Sequence, residues 1–249
     1  AAHKENWMIR DPELKKVALW TYYKGAKRDP GLDEGATTVA YLPGKGWFWY
    51  IPLSGDMVSV GIVAERDYLF NGSTKDHKEI FQREIKNNAW IEDHLSQGEQ
   101  VGEYRITGEY SYRNQYCSMD GLVLAGDALG FLDPVFSSGV FLALKSGAML
   151  ADEVDAALST GPITAQSFDA YGKKMQSTIE TMRKIVYAFY DPEFSFGDLV
   201  KRGEHLRGAL TDCLIGNVDD QDFKELFDSM SDLARLPDPV EHGLAKTSA

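Results

Sequence analysis

The chain has 249 residues, of which 43% are hydrophobic, and this is enough for a normal core in one large domain or two small ones. Its 26 basic and 38 acidic residues give a net charge of −12 with no basic cluster, which argues against nucleic acid and anionic membrane surfaces as partners. No apolar run is long enough for a membrane span and no signal-peptide pattern opens the chain, so we expect no membrane association.

The cysteines and histidines are too scattered to predict a metal site. Cys117 and Cys213 lie far apart without metal-like spacing, so we expect a reduced, cytoplasmic chain with no bound metal. The histidines form neither a ligand set nor a catalytic triad, and we expect each of them at the surface: His3, His77, His94, His205 and His242.

The first third of the chain has the pattern of an antiparallel sheet. An aromatic strand is predicted over 17–25, and further strands follow over 36–42, 46–53 and 56–64. The sequences PGKG and SGD between the later strands are typical of turns, so the strands are predicted to pair as an antiparallel meander.

The predicted strand over 46–53 is aromatic on both faces. Alternation places Trp47, Trp49 and Ile51 on one face and Phe48 and Tyr50 on the other. Both faces must therefore be covered, and an ordinary sheet core explains such a strand by itself.

A helix is predicted over 74–96, where apolar residues recur at helical spacing. An amphipathic surface helix and a cap over a substrate cavity both fit this pattern. An extended segment over 105–116 follows, and the tyrosines in and beside it fit either a half-buried sheet or an aromatic pocket: Tyr104, Tyr110, Tyr112 and Tyr116.

A buried strand, a tight loop and a helix start are predicted over 122–144, and we extend the helix to about residue 158. Free N–H groups at a helix start bind anions and electron-rich edges of cofactors, and Asp127 is placed to accept hydrogen bonds from ligand hydroxyls. Ser137 or Ser138 is predicted to cap the helix. A stripe of small residues then indicates a close neighbour, although a tightly packed α/β core explains it equally well: Gly139, Ala143, Gly147 and Ala151.

The remainder of the chain is predicted to be helical. A long helix is expected over 164–190, one or two short helices over 193–216 and another over 219–235. The last dozen or so residues, which begin with Pro237 and Pro239 and include small polar residues, are predicted to be disordered.

Two motifs resemble those of a known enzyme family. GDA at 126–128 followed by DPVFSSG at 133–139 resembles the second FAD-binding motif of the flavin monooxygenase superfamily, in the form found in flavin-dependent halogenases. GWFWYIPL at 46–53 matches the halogenase motif W-x-W-x-I-P at every fixed position. The chain is therefore similar to flavin-dependent halogenases that act on phenols, pyrroles or carrier-bound substrates.

The resemblance implies an α/β protein, α+β within this chain, that is part of a glutathione-reductase-like FAD fold. Residues 1–100 would form an antiparallel substrate-side sheet with a helical excursion. Residues 101–160 would form a flavin-contacting strand-loop-helix, and residues 161–249 a helical region over the substrate site.

The resemblance also implies a reaction in which reduced FAD, O₂ and a halide ion halogenate an electron-rich aromatic substrate, either free or carrier-bound, with a separate flavin reductase supplying the reduced FAD. Trp47 and Trp49 would separate flavin from substrate, and Ser138 and Gly139 would bind the halide. Phe136 replaces the glutamate of tryptophan halogenases, so free tryptophan is not the expected substrate. The implied cofactor contacts are Gly126, Asp127, Asp133, Pro134, Gly139 and Val140.

The family's ADP-binding G-x-G-x-x-G segment and its catalytic lysine have no counterpart in this sequence. A truncated chain, one half of a split protein and an inactive remnant all fit this absence, and we favour the first. In the split-protein alternative, the N-terminal half would be a separate partner chain. An FAD-dependent monooxygenase and a geranylgeranyl-reductase-like oxidoreductase are alternatives because they share the Gly-Asp motif, and an inactive binding module is another.

Overall fold

The computed structural model describes residues 6–72, 74–108, 110–219 and 221–246. The strands are β1 (Met8–Arg10), β2 (Lys16–Lys24), β3 (Thr38–Leu42), β4 (Gly46–Leu53), β5 (Met57–Glu65), β6 (Glu99–Gly108), β7 (Tyr112–Asn114), β8 (Tyr116–Met119), β9 (Leu122–Val123), β10 (Gly130–Phe131) and β11 (Leu244–Ala245). The helices are α1 (Arg66–Leu69), α2 (His77–Ile85), α3 (Ala89–Leu95), α4 (Gly139–Thr160), α5 (Asp169–Tyr190), α6 (Phe196–Lys201), α7 (Glu204–Leu214) and α8 (Lys224–Ser231). The predicted mixture of antiparallel strands and helices is confirmed.

The chain divides into two compact units. Residues 12–109 form the sheet unit, and residues 1–11 together with 110–249 form the helical unit. The chain leaves and re-enters the helical unit through neighbouring strands, because β1 pairs antiparallel with β7 and Arg10 lies opposite Tyr112. The three-part division by role stays a prediction, and its first boundary falls within β6.

The sheet unit contains an antiparallel sheet of strand order β3-β4-β5-β2-β6. The predicted meander is confirmed for β3, β4 and β5, but β2 pairs with β5 instead of β3. The linker over 25–37 is too long for a tight hairpin, so it leaves β2 free to align with β5 along its whole length.

Two helices, rather than the single predicted one, cover one face of this sheet. The Asn88 side chain accepts a hydrogen bond from Ile91 N at 3.1 Å and caps α3, which ends α2 and starts a new helix. The core beneath them includes Leu19, Phe48, Tyr50, Val60, Ile62, Ile80, Phe81 and Ile91.

His94 also lies in this core, so its predicted surface position is wrong. Its ring stacks on Trp90 at a centroid distance of 3.6 Å, and its Nε2 lies 3.2 Å from Asp29 Oδ1. An aromatic partner and a hydrogen-bond partner together make burial of the imidazole favourable.

The helical unit has its core along α5. One part of the core surrounds the first half of α5 and includes Trp7, Leu129, Tyr171 and Met175. The other lies between the end of α5 and the short helices, which confirm the predicted helical C-terminal region.

The tail is ordered through Lys246, which contradicts the predicted disorder. Gly243 N donates to Asn114 O and Leu244 N to Gln115 O, both at 2.9 Å, and β11 then pairs in parallel with β8.

His242 is buried with Nε2 3.0 Å from Glu180 Oε1, so its predicted surface position is also wrong. His205 is exposed, as predicted. His3 and the last three residues lie outside the described residues.

A buried charge cluster joins distant segments of the helical unit. Asp11 Oδ2 accepts from Arg113 Nη1 at 3.0 Å and from Arg183 Nε at 2.8 Å, and its Oδ1 accepts from the Tyr187 hydroxyl. Arg183 Nη1 also lies 3.1 Å from Glu180 Oε2. Burial alone would raise the pKa of Asp11, but its three donors hold that pKa below its ordinary value.

Candidate functional site

The turn at Gly126–Ala128 docks on α4. Gly126 has a positive φ of 55°, and its N–H donates to Ser146 Oγ at 2.8 Å. A Cβ at this position would lie 3.3 Å from the Cβ of Ala143, so the predicted close approach along the small-residue stripe is confirmed there. Upstream, the Tyr171 hydroxyl donates to Leu124 O at 2.7 Å and ties the preceding strand to α5.

Asp127 lies at the exposed tip of this turn. The Tyr112 hydroxyl donates to the backbone oxygen of Asp127 at 2.7 Å, which fixes the main chain beneath the side chain. The carboxylate remains exposed to solvent, where it is able to accept hydrogen bonds from a ligand's hydroxyls.

Asp133 anchors the next turn, Pro134–Phe136. Its Oδ1 accepts from Val135 N at 3.1 Å, and its Oδ2 accepts from the Tyr190 hydroxyl at 2.9 Å. The whole side chain is buried. The carboxylate is therefore used within the chain, and its contact with a cofactor stays a prediction.

The chain reverses direction between this turn and α4. Ser137 adopts the left-handed conformation, with φ of 54° and ψ of 34°, which costs a residue other than glycine about 1–3 kcal/mol. Ser138 has helical backbone angles, and within the described residues no side chain caps α4. Ser138 therefore occupies the predicted cap position, but its side chain makes no capping hydrogen bond.

The uncapped start of α4 is electropositive. The helix runs for 22 residues and has no acidic residue in its first turn, so the aligned peptide dipoles place about half a positive charge at its start. The first N–H groups have no intrahelical acceptor. The backbone at Ser138, Gly139 and Val140 therefore fits an anion or the electron-rich edge of a ring.

An apolar face of α4 lies open. Val140, Leu144 and Leu158 are 74%, 70% and 67% exposed, and a Cβ at Gly147 would meet nothing within 4 Å among the described residues. A solvated helix face normally carries polar residues, so this face has the composition of a contact surface.

Trp47 and Trp49 share one face of β4, as the alternation predicted. Their ring centroids lie 6.1 Å apart, and Trp49 Nε1 donates to Ser59 Oγ at 3.1 Å. Phe48 and Tyr50 point to the opposite face, where α2 and α3 cover them. The helical excursion therefore packs on the face opposite the tryptophans.

Trp20 joins this tryptophan face, and sequence reasoning missed it. Its ring centroid lies 6.3 Å from that of Trp49. Gly61 is opposite both residues in the sheet, and a Cβ there would overlap the Trp49 ring. The only sequence signal is a glycine within an apolar strand, which indicates the close approach of a neighbour. The tryptophans belong to the sheet unit, whereas both turns and α4 belong to the helical unit.

Within the described ranges, no group of His, Cys, Asp or Glu side chains is arranged to hold a metal ion. Over the same residues, no helix is both long enough and apolar enough to cross a bilayer. Cys117 and Cys213 are both free and buried.

Comparison with known proteins finds relatives among the halogenases. The sequence matches the family profile described as tryptophan halogenase over residues 26–194. It is 27% identical over 240 residues to the 1H-pyrrole-2-carbonyl-[peptidyl-carrier protein] chlorinase of Pseudomonas fluorescens, covering 94% of this chain and 53% of that protein. It is 33% identical over 145 residues to the corresponding brominase of Pseudoalteromonas luteoviolacea, covering 58% of this chain and 36% of that protein.

A solved structure supports the fold. The flavin-dependent brominase Bmp2 superimposes with a TM-score of 0.80 at 24% identity, covering 90% of this chain and 56% of that one. The chain spans about half the length of the curated relatives it matches.

Proposed function

This chain belongs to the tryptophan halogenase family, and from that membership we propose that it forms the flavin- and halide-facing part of an FAD-dependent halogenase. The uncapped start of α4, directly after the DPVFSSG turn, carries this proposal. An electropositive helix start without a side-chain cap suits a halide ion and the negatively charged edge of a reduced flavin.

Different residues of this chain bind different parts of the cofactor and the halide. Gly126 lets the first turn lie against α4, and the exposed carboxylate of Asp127 accepts hydrogen bonds from the cofactor's ribityl hydroxyls. Pro134 shapes the second turn, and the amides at Ser138, Gly139 and Val140 face the ring edge and the halide. FAD, when bound and reduced, supplies the redox chemistry with O₂ that converts halide into an electrophile.

We assign Trp47 and Trp49 to the partition between flavin and substrate. The Trp49 ring contacts the rings of both Trp47 and Trp20, which makes a continuous aromatic surface able to exclude bulky molecules. The substrate is an electron-rich aromatic compound, and the likeness to pyrrolyl-carrier halogenases favours a carrier-bound acyl group.

A separate flavin reductase supplies the reduced cofactor. The buried free cysteines suit a reducing, cytoplasmic location.

We propose that the ADP-binding half of the enzyme packs against the open apolar face of α4. This chain spans about half the length of its relatives, and the exposed leucines of α4 together with the open Gly147 suit close packing against a second body. In the isolated chain, Leu144→Lys should reduce binding of the hydrophobic dye ANS. Leu32→Lys, at a single exposed leucine elsewhere, serves as the control. Equal effects of the two substitutions would argue against a contact face.

Titration of the chain with FAD tests the cofactor site. We expect a saturable change in the flavin's visible spectrum, and Asp127→Ala should weaken binding about tenfold, because hydrogen bonds to a charged group are lost. Asp152→Ala removes an exposed carboxylate farther along α4 and should leave affinity unchanged. If Asp127→Ala binds FAD as tightly as the unsubstituted chain, Asp127 does not belong to the site.

The halogenation step is tested on the protein that also contains the ADP-binding half. With a flavin reductase and an electron-rich aromatic substrate, we expect product only when bromide or chloride is present. A hydroxylated product that forms without halide would identify a monooxygenase instead.

A further inference from the structure

Consecutive residues at the end of α5 hold both ends of the turn that precedes α4. The Tyr190 hydroxyl donates to Asp133 Oδ2 at 2.9 Å, at the start of the turn. The Phe189 ring packs edge-on against Phe136, at the end of the turn, with a centroid distance of 5.8 Å. The turn is therefore fixed from α5 as well as through its own hydrogen bonds.

The Asp133 carboxylate links these contacts to the backbone of the turn. It is buried, and its Oδ1 accepts from Val135 N while its Oδ2 accepts from Tyr190. Ser137 then takes a left-handed conformation that persists only where the surroundings over-determine it. Loss of either partner of Asp133 would therefore loosen the backbone that leads into α4.

We propose that Tyr190 is a positioning residue for the anion-binding start of α4. Its hydroxyl orients the Asp133 carboxylate, and that carboxylate sets the turn which presents the amides of Ser138 and Gly139. The proposal deepens the proposed function and rests on it. Tyr190 itself touches neither halide nor flavin in this assignment.

Tyr110 offers a matched control. Its hydroxyl is also buried, but within the described residues it has no hydrogen-bond partner. Burial and the nearby Asp133 carboxylate raise the pKa of Tyr110. Tyr110→Phe therefore removes a buried hydroxyl from the same neighbourhood without removing a bond to Asp133.

Hydrogen–deuterium exchange on the complete 249-residue chain tests the positioning role without any cofactor. In Tyr190→Phe, we expect the hydrogen-bonded amides of Val135 and Ser137 to exchange on the order of tenfold faster, because a hydrogen bond to the buried charge that fixes their turn is lost. Peptides from α7 should exchange as before, and Tyr110→Phe should leave 133–139 unchanged. Uniformly faster exchange throughout the helical unit, or equal effects in the two variants, would overturn the proposal.

Titrations with FAD and then bromide separate this inference from the function on which it rests. If the unsubstituted chain binds both, we expect Tyr190→Phe to weaken bromide binding severalfold while Tyr110→Phe binds normally. Unchanged bromide affinity in Tyr190→Phe would refute a positioning role. If the unsubstituted chain binds neither ligand, the proposed function fails for this chain, while the exchange experiment still decides whether Tyr190 fixes the turn.

Discussion

Asp11→Asn should strongly destabilise the helical unit. The substitution keeps the shape of the side chain but removes the negative charge that faces Arg113 and Arg183, both of which are buried. Arg113 is already incompletely paired, since its Nε and Nη2 make no hydrogen bond within the described residues. An amide acceptor would leave two guanidinium groups in a poorly solvated site with only Glu180 as an anionic neighbour in the cluster.

Removal of one partner from a buried ion pair costs about 3–5 kcal/mol of unfolding free energy. For a chain of this size, each kcal/mol lowers the melting temperature by about 2–4 °C, so we expect a decrease of roughly 6–20 °C. Far-ultraviolet circular dichroism during heating or urea titration measures the change.

Asp198→Asn is the control, because Asp198 pairs with Lys201 in an exposed salt bridge at 2.7 Å that should contribute little. A melting temperature for Asp11→Asn that matches the control would show that the buried cluster does not stabilise the fold as its geometry indicates.

Gly61→Ala should lower the unfolding free energy by about 1–3 kcal/mol and alter tryptophan fluorescence, because the new methyl group displaces the Trp49 ring; an unchanged emission spectrum would contradict this packing. Cys117 and Cys213 should resist alkylation by iodoacetamide in the native chain and react in urea, because burial raises the pKa of both thiols; mass spectrometry that detects rapid native labelling would show that they are accessible. Burial acts to raise the pKa of Glu180, but His242, Arg183 and Arg113 hold that pKa below its ordinary value of about 4.5. The ionised carboxylate therefore contributes its full stabilisation above that pH and loses it as the pH falls through the lowered pKa, so Glu180→Gln should flatten the acid limb of a stability–pH curve.

Local patterns predicted the sheet well. Strands β3 to β5 have alternating side chains and glycine turns within a few residues of one another, so their pairing depends on short-range sequence. The partner of β2 depends on a residue pairing such as Trp20 with Gly61, about forty positions away, which no periodicity encodes. The tryptophan face was therefore predicted only where it lies within one strand.

The errors concern polar groups whose partners are distant in sequence. His94 pairs with Asp29 and His242 with Glu180, each more than sixty positions away, so the sequence pattern gave no sign of either burial. In the candidate site, the motif predicted which turn precedes the helix. The hydroxyl of Tyr190 that holds it was not predicted, because it comes from the far end of another helix.

The pairing of β1 with β7 also determines the order in which the protein is able to fold during synthesis. Arg10 leaves the ribosome about a hundred residues before its partner Tyr112, a delay of roughly 5–20 s at typical rates of translation. The sheet unit is continuous in sequence and is complete within that interval. Strand β1 and the Trp7 side chain beside it therefore find their partners in the helical unit only after the sheet unit has been synthesised.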